Sequence, residues 1–165
     1  MFVGEAPGRQ EDRQGEPFVG AAGRVLDDLL ASIGLVRGEV FVTNVVKSRP
    51  VVGAPPGRNR APTAEEIDAC APWLDAQREV LKPTVIVTLG RIALERFLPG
   101  KRISEVHGRL YHQGALTLLP LYHPAVALYR RDWVAILRQD FRQLTRFLPS
   151  RKEGPARTQK RSRHR

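Results

Sequence analysis

Four short apolar runs, at residues 2–3, 40–46, 83–89 and 116–121, alternate with longer stretches of helical spacing, and this alternation constrains the fold more than any other feature. Short runs rich in Val, Ile and Thr between turn residues suit strands buried on both faces. After the first run, Val25, Leu26, Leu29, Leu30 and Ile33 recur at helical intervals from Ala21, and Gly34 marks a stop. Thr63 and Glu66 have the spacing of a capping box, which predicts a helix from there to about Leu81. Further helices are expected over 90–98, closed by Pro99 and Gly100, and as one long element over 124–147. Such alternation implies right-handed crossovers, so the expected fold is a three-layer α/β/α sandwich around a mostly parallel central sheet. The strand at 40–46 should have partners on either side. The charged stretch 9–16 reads as a loop. Residues 49–62 hold four prolines, two glycines and three arginines, so regular structure is not expected there.

At 165 residues the chain suits one domain, placed at 1–148. The formal net charge is +10, and residues 151–165 alone hold seven Lys or Arg against one Glu. A basic tail over 149–165, almost without apolar residues, is expected to be disordered. Positive charge of this kind favours a polyanion, because each phosphate contact releases counterions. Nucleic acid is the leading partner, ahead of an anionic membrane surface. No stretch approaches the roughly 20 apolar residues of a membrane span, and Met1 opens into Phe2-Val3 without a basic leader, so a cytoplasmic monomer is expected. The single cysteine, Cys70, excludes a disulfide within the chain.

Chemistry gathers where the strands end. The first run leads into Gly4-Glu5-Ala6-Pro7-Gly8, the second carries Asn44, and the fourth ends before His123-Pro124-Ala125. In open α/β sheets, polar groups at such ends meet in one crevice. The segments GEAPG (4–8), GEPFVGAAG (15–23), TNVVKSRP (43–50), APTAEEIDACAPWL (61–74), PTVIVTLG (83–90) and YHPAVAL (122–128) together resemble the uracil-DNA glycosylases, and most nearly their family 4 branch, over almost all of residues 1–148.

The resemblance implies an enzyme that hydrolyses uracil from DNA in base excision repair, without cutting the backbone. It places Asn44 against the uracil edge, where one carboxamide offers an acceptor to N3–H and a donor to O4. Read alone, Asn44 is more simply the cap of the following turn. Phe18 would stack on the extruded base, or tuck into the core beneath its loop. His123 would donate to O2 of the leaving base. Glu5 and Ala6 would line the pocket, and Glu11 would position water or guard against the thymine methyl. Ala6 stands where other branches carry a water-orienting aspartate, and Gly8 where some carry a blocking aromatic. Arg58, Arg60, Arg130 and Arg131 are candidate phosphate contacts, although loop arginines can also be merely solvated.

Family 4 also implies a four-iron cluster on four cysteines. Here Ser48 stands in place of one of them and only Cys70 remains, whereas such a cluster takes about four soft ligands. The expectation is therefore a chain without the cluster, or one with a truncated start; Ser48 favours the former. Loss of that staple is expected to loosen the segment after Arg49. Two other readings stand beside the main one: a glycosylase of the same fold with another base range, and a DNA- or uracil-binding module with weak turnover.

Overall fold

The computed structural model describes residues 1–148, so the expected basic tail at 149–165 lies outside the described residues. Along the chain run β1 (Phe2–Gly4), α1 (Arg9–Gln14), α2 (Ala21–Ser32), β2 (Val42–Asn44), β3 (Val51–Val52), β4 (Arg58–Asn59), α3 (Ala64–Leu81), β5 (Val85–Leu89), α4 (Arg91–Phe97), α5 (Ile103–Val106), β6 (Tyr111–Gln113), β7 (Leu116–Leu121), α6 (Val126–Tyr129) and α7 (Trp133–Phe141). Two 3-10 turns, Arg37–Glu39 and Arg142–Phe147, complete the path.

Strand side chains alternate between faces, and the sheet separates two cores accordingly. Phe2, Val87, Leu89, Leu119 and Leu121 face one core, shared with Leu26 and Leu30 of α2 and with Leu137 and Phe141 of α7. Val3, Ile86 and Leu118 face the other, with Leu74 of α3 and with Ile92 and Ala93 of α4. These are the three expected layers. The sheet order is β2-β1-β5-β7-β6, parallel except for β6, which runs antiparallel to β7. Among the described residues no helix is long and apolar enough to cross a membrane.

Several expectations need correction. β2 lies at the sheet edge, with β1 as its one strand partner. Its three residues are nonetheless buried. A strand can be covered on both faces without being paired along both sides, and here side chains serve the outer edge. The Lys47 ammonium donates to the Asn44 carbonyl at 2.7 Å, to Thr43 Oγ1 at 2.8 Å and to Gln77 Oε1 of α3 at 2.9 Å. Residues 9–14 are helical rather than looped, and Gly15 closes that helix in the left-handed region. The α5 helix and the β6 strand were not anticipated at all.

The long helix expected over 124–147 is three pieces. Arg130 adopts extended backbone, and its guanidinium pairs with Asp132 at 2.9 Å while lying over the Trp133 ring. The break lets Trp133 meet Tyr122 edge to face, with ring centroids 4.6 Å apart.

Residues 49–62 hold a short antiparallel hairpin, β3 with β4, where none was expected. Its fastenings are arginines. Arg49 donates to Asn59 Oδ1 and to the Pro56 and Gly57 carbonyls. Arg60 grips both oxygens of Glu66 at 2.7 Å and donates to the Val51 carbonyl. Such a two-bond fork is the strongest of the common side-chain pairings. The loosening expected after Arg49 therefore meets a segment tied down at several points.

Glu66 serves two ends at once. Its carboxylate accepts from Thr63 N–H at 2.8 Å, and Thr63 Oγ1 accepts from Glu66 N–H, which completes the capping box of α3. The Arg60 fork, followed by the Thr63 amide, pulls its pKa down to about 2. Thr63→Ala should cost about 1 kcal/mol of stability, read as a lower urea midpoint at unchanged slope. Glu66→Ala should lower the midpoint further, because Arg60 then also loses its partner. Equal midpoints for the two variants would mean that the fork adds nothing.

Candidate active site

Gly4 ends β1 in register with Asn44 at the end of β2. The absence of a side chain there opens the space in which the site is built. A Cβ on Gly4 would lie 2.5 Å from Asn44 Oδ1 and 2.6 Å from the Phe18 ring. Both side chains occupy that room instead. Asn44 is 5% exposed, and its Oδ1 is buried without a hydrogen-bond partner.

Phe18 is also buried, and its backbone sits at φ 56°, in the left-handed region that bulky residues avoid. Its loop is clamped from two sides. A Cβ on Gly23 would fall 1.7 Å from the Phe18 carbonyl oxygen, so only glycine lets α2 pack this close. Arg37 donates to the Pro17 carbonyl while its guanidinium faces Asp27 of α2 at 3.5 Å. Phe18 thus belongs to the core and forms the cavity wall at once.

The Phe18 ring stacks on His123, with centroids 5.4 Å apart. His123 follows β7, and its Nδ1 accepts the Ala125 N–H at 3.2 Å. In a neutral ring that assigns the proton to Nε2. Burial pushes its pKa down to about 4, against a weaker opposing pull from Glu11. The imidazole is therefore neutral at physiological pH.

Glu11 projects from α1. One carboxylate oxygen accepts the Gly20 N–H at 2.7 Å, and the other fills the room that a side chain on Gly8 would take. Glu5 is half-buried; burial raises its pKa and Arg91 opposes that rise. Its carbonyl accepts from Val46 N–H, which ties the turn after β1 to the segment after β2.

One cavity of about 470 Å³ is bordered by Glu5, Ala6, Glu11, Phe18, Asn44 and His123, so the fold brings together all six residues singled out for the pocket. The four arginines behave differently. Arg60 reaches the cavity but is committed to Glu66, and Arg130 is committed to Asp132. Arg58 and Arg131 are exposed, and neither has a carboxylate partner among the described residues. His107 holds Asp140 at 2.7 Å and packs on Tyr122, outside the cavity.

Sequence reasoning missed Gly4, Gly23 and Arg37 as builders of the site. The glycine spacing within GEPFVGAAG was the available signal for Gly23. Nothing in the sequence marked Arg37. Leu128 and Tyr129 end the short helix after pocket-lining Ala125, and are 45% and 86% exposed.

The residues of this chain do not fit a four-iron cluster. Cys70 is the one cysteine, and its Sγ accepts the Lys47 N–H at 3.3 Å. Among the described residues no three His, Cys, Asp or Glu side chains gather in a way that could hold a metal.

Comparison with known proteins gives a consistent picture. The Type-4 uracil-DNA glycosylase of Sulfurisphaera tokodaii is 43% identical over 154 residues, covering 87% of this chain and 67% of that protein. The Type-4 uracil-DNA glycosylase of Archaeoglobus fulgidus is 44% identical over 153 residues, covering 87% of this chain and 74% of its own. The Type-5 uracil-DNA glycosylase of Thermus thermophilus is 37% identical over 138 residues, 74% of this chain and 63% of that one. The family description "Uracil DNA glycosylase superfamily" matches residues 1–148, the whole of the described fold. With parallel strands whose ends hold Glu5, Asn44 and His123 around one cavity, and with these relatives, the chain belongs to the uracil DNA glycosylase superfamily.

Proposed function

We propose that this chain is a monofunctional uracil-DNA glycosylase, and that the unpartnered Asn44 Oδ1 is the group that reads the base. A buried acceptor left unpaired costs roughly 1–3 kcal/mol. That cost is recovered when a ligand supplies the missing donor, and uracil N3–H is such a donor. The Asn44 amide then faces O4, so one side chain tests both groups that distinguish uracil from cytosine. The Phe18 face supplies stacking, worth about 1–3 kcal/mol per base.

Cleavage breaks the bond between C1′ and N1, and both electrons leave with the base. Nε2–H of His123 is the donor suited to the charge that gathers on O2, and a low pKa leaves the ring a donor without making it an acid. The sugar becomes cationic and is completed by the oxygen of water, whose proton must go to a base. Glu11 is the carboxylate best placed to accept that proton, since its Oε1 is fixed by Gly20 and the side chain borders the cavity. Glu5 and Ala6 complete the wall. A single chain suffices, because all of these groups come from one fold.

Extraction of a base leaves a gap in the stack, and apolar side chains commonly fill such gaps. Leu128 and Tyr129, exposed three and four residues after Ala125 of the cavity wall, are suited to that role, and Arg58 and Arg131, without carboxylate partners among the described residues, are suited to meet the flanking phosphates. The DNA carries the extruded base to a site that is already shaped.

Asn44→Asp should lower uracil release from a uracil-containing oligonucleotide by orders of magnitude, since the carboxylate keeps an acceptor but offers no N–H to O4. His123→Ala should slow release and leave base preference unchanged. Release is scored as alkali-labile breaks, and breaks without alkali would contradict the monofunctional reading. If Asn44→Asp works at the parent rate, the pocket is wrongly centred.

The depressed pKa of His123 sets a second test. The unfolded chain binds this proton below about pH 6.5, while the folded chain refuses it until about pH 4. Its contribution to stability is therefore full above pH 6.5 and is lost as pH falls from there toward 4. Denaturation midpoints of the parent should drop over that window more than those of His123→Gln. Parallel profiles for the two proteins would rule this out. A solution of the purified chain should also show no visible iron-sulfide absorbance, whereas a brown preparation would mean that other groups complete a cluster with Cys70.

A further inference from the structure

We infer that the outer face of α7 is a second phosphate-binding surface, which holds the DNA backbone several nucleotides from the extruded base; the inference rests on the proposal that the chain acts on DNA. Arg131, Arg138 and Arg142 line an open groove of about 550 Å³ with Val134, Ala135 and Gln139. Ala135 and Arg138 lie on one face of α7, with Arg131 in the turn before the helix and Arg142 in the 3-10 turn after it, all along the one groove. All three arginines are exposed, and none of their guanidinium groups has a hydrogen-bond or carboxylate partner among the described residues.

The acids of this stretch are turned elsewhere. Asp132 pairs with Arg130, and Asp140 is buried against His107 at 2.7 Å. Among the described residues, what remains on the outer face is positive charge without a carboxylate partner. Three like charges on one strip repel one another, and a polyanion relieves that repulsion.

The dimensions suit a nucleic-acid strand. From Arg131 to Arg142 the chain rises about 18 Å, at ~1.5 Å per residue within α7 and ~2 Å in the tighter turns at its two ends. Phosphates of one strand follow each other every ~3.4 Å along the duplex axis, so the strip spans about five of them. It begins six residues after Ala125, on the cavity wall, and so starts at most about 20 Å from the pocket. A duplex held at the pocket extends well beyond that distance. An anionic membrane is the poorer match, because none of the large exposed apolar side chains lies on α7.

The test uses the full chain and the double variant Arg138→Gln with Arg142→Gln. On an undamaged duplex of about 30 base pairs, the logarithmic salt slope of binding should fall by about 2, since each phosphate contact contributes ~0.9. Maximal uracil release at saturating DNA should match the parent, since neither Arg138 nor Arg142 borders the cavity. The double variant Arg138→Lys with Arg142→Lys should restore the slope, which a purely structural role would not require. An unchanged slope in the glutamine variant would overturn the proposal, as would a loss confined to binding of anionic lipid vesicles. Because undamaged DNA is bound without being processed, a parent that released no uracil would defeat the proposed activity and leave this comparison intact.

Discussion

The site depends on one missing atom. At the end of β1 the chain has no Cβ, and into that space come the carboxamide of the neighbouring strand and the ring of a loop fourteen residues away. Any side chain at position 4 would displace both. Parallel register sets Asn44 beside Gly4, and the clamp on the Phe18 loop brings the ring over it. The His123 ring then finds its stacking partner. The arrangement is not the most stable one available to these atoms. An unpaired buried oxygen and a bulky residue in left-handed backbone each cost on the order of 1–3 kcal/mol. Two dense cores, one on each face of the sheet, offset that cost, so the pocket is held open before any ligand arrives.

Asn44 stands on the outermost strand of the parallel set. An edge strand has unpaired backbone groups on one side, and these are a liability unless they are covered. The Lys47 ammonium meets one of them, the Asn44 carbonyl, and is held there by the Thr43 hydroxyl and the Gln77 amide oxygen. Burial lowers its pKa to about 8, with Cys70 opposing that drop. The same residue presents its backbone N–H to Cys70, so Asn44, α3 and the cysteine are joined through one lysine.

Much of this was legible in the sequence, and for identifiable reasons. The parallel strands, the main helices and the capping box announce themselves through periodicity and local hydrogen bonding, which are properties of neighbouring residues. Glu5, Asn44 and His123 were legible because strand ends have a known place to converge. The edge position of β2 was not, since burial on both faces looks the same whether a strand or a lysine lies alongside. The break at Arg130 was hidden because apolar spacing continues across it, and only the pairing of Arg130 with Asp132 and the inward turn of Trp133 reveal it. Arg37 acts through a carbonyl twenty residues away, a contact with no local signature.

The hairpin after β2 is held by guanidinium groups on carbonyls, an amide and a carboxylate, and none of these atoms changes oxidation state. Its integrity is therefore set by ionic strength and not by oxygen tension or reductant. Conditions that would strip iron or oxidise thiolates leave such a fastening untouched, while concentrated salt screens it. A wall residue of the pocket, Arg60, is part of that fastening. The stretch of cavity wall around Arg60 thus holds no redox-active group, whereas Asn44 is tied through Lys47 to the thiol of Cys70.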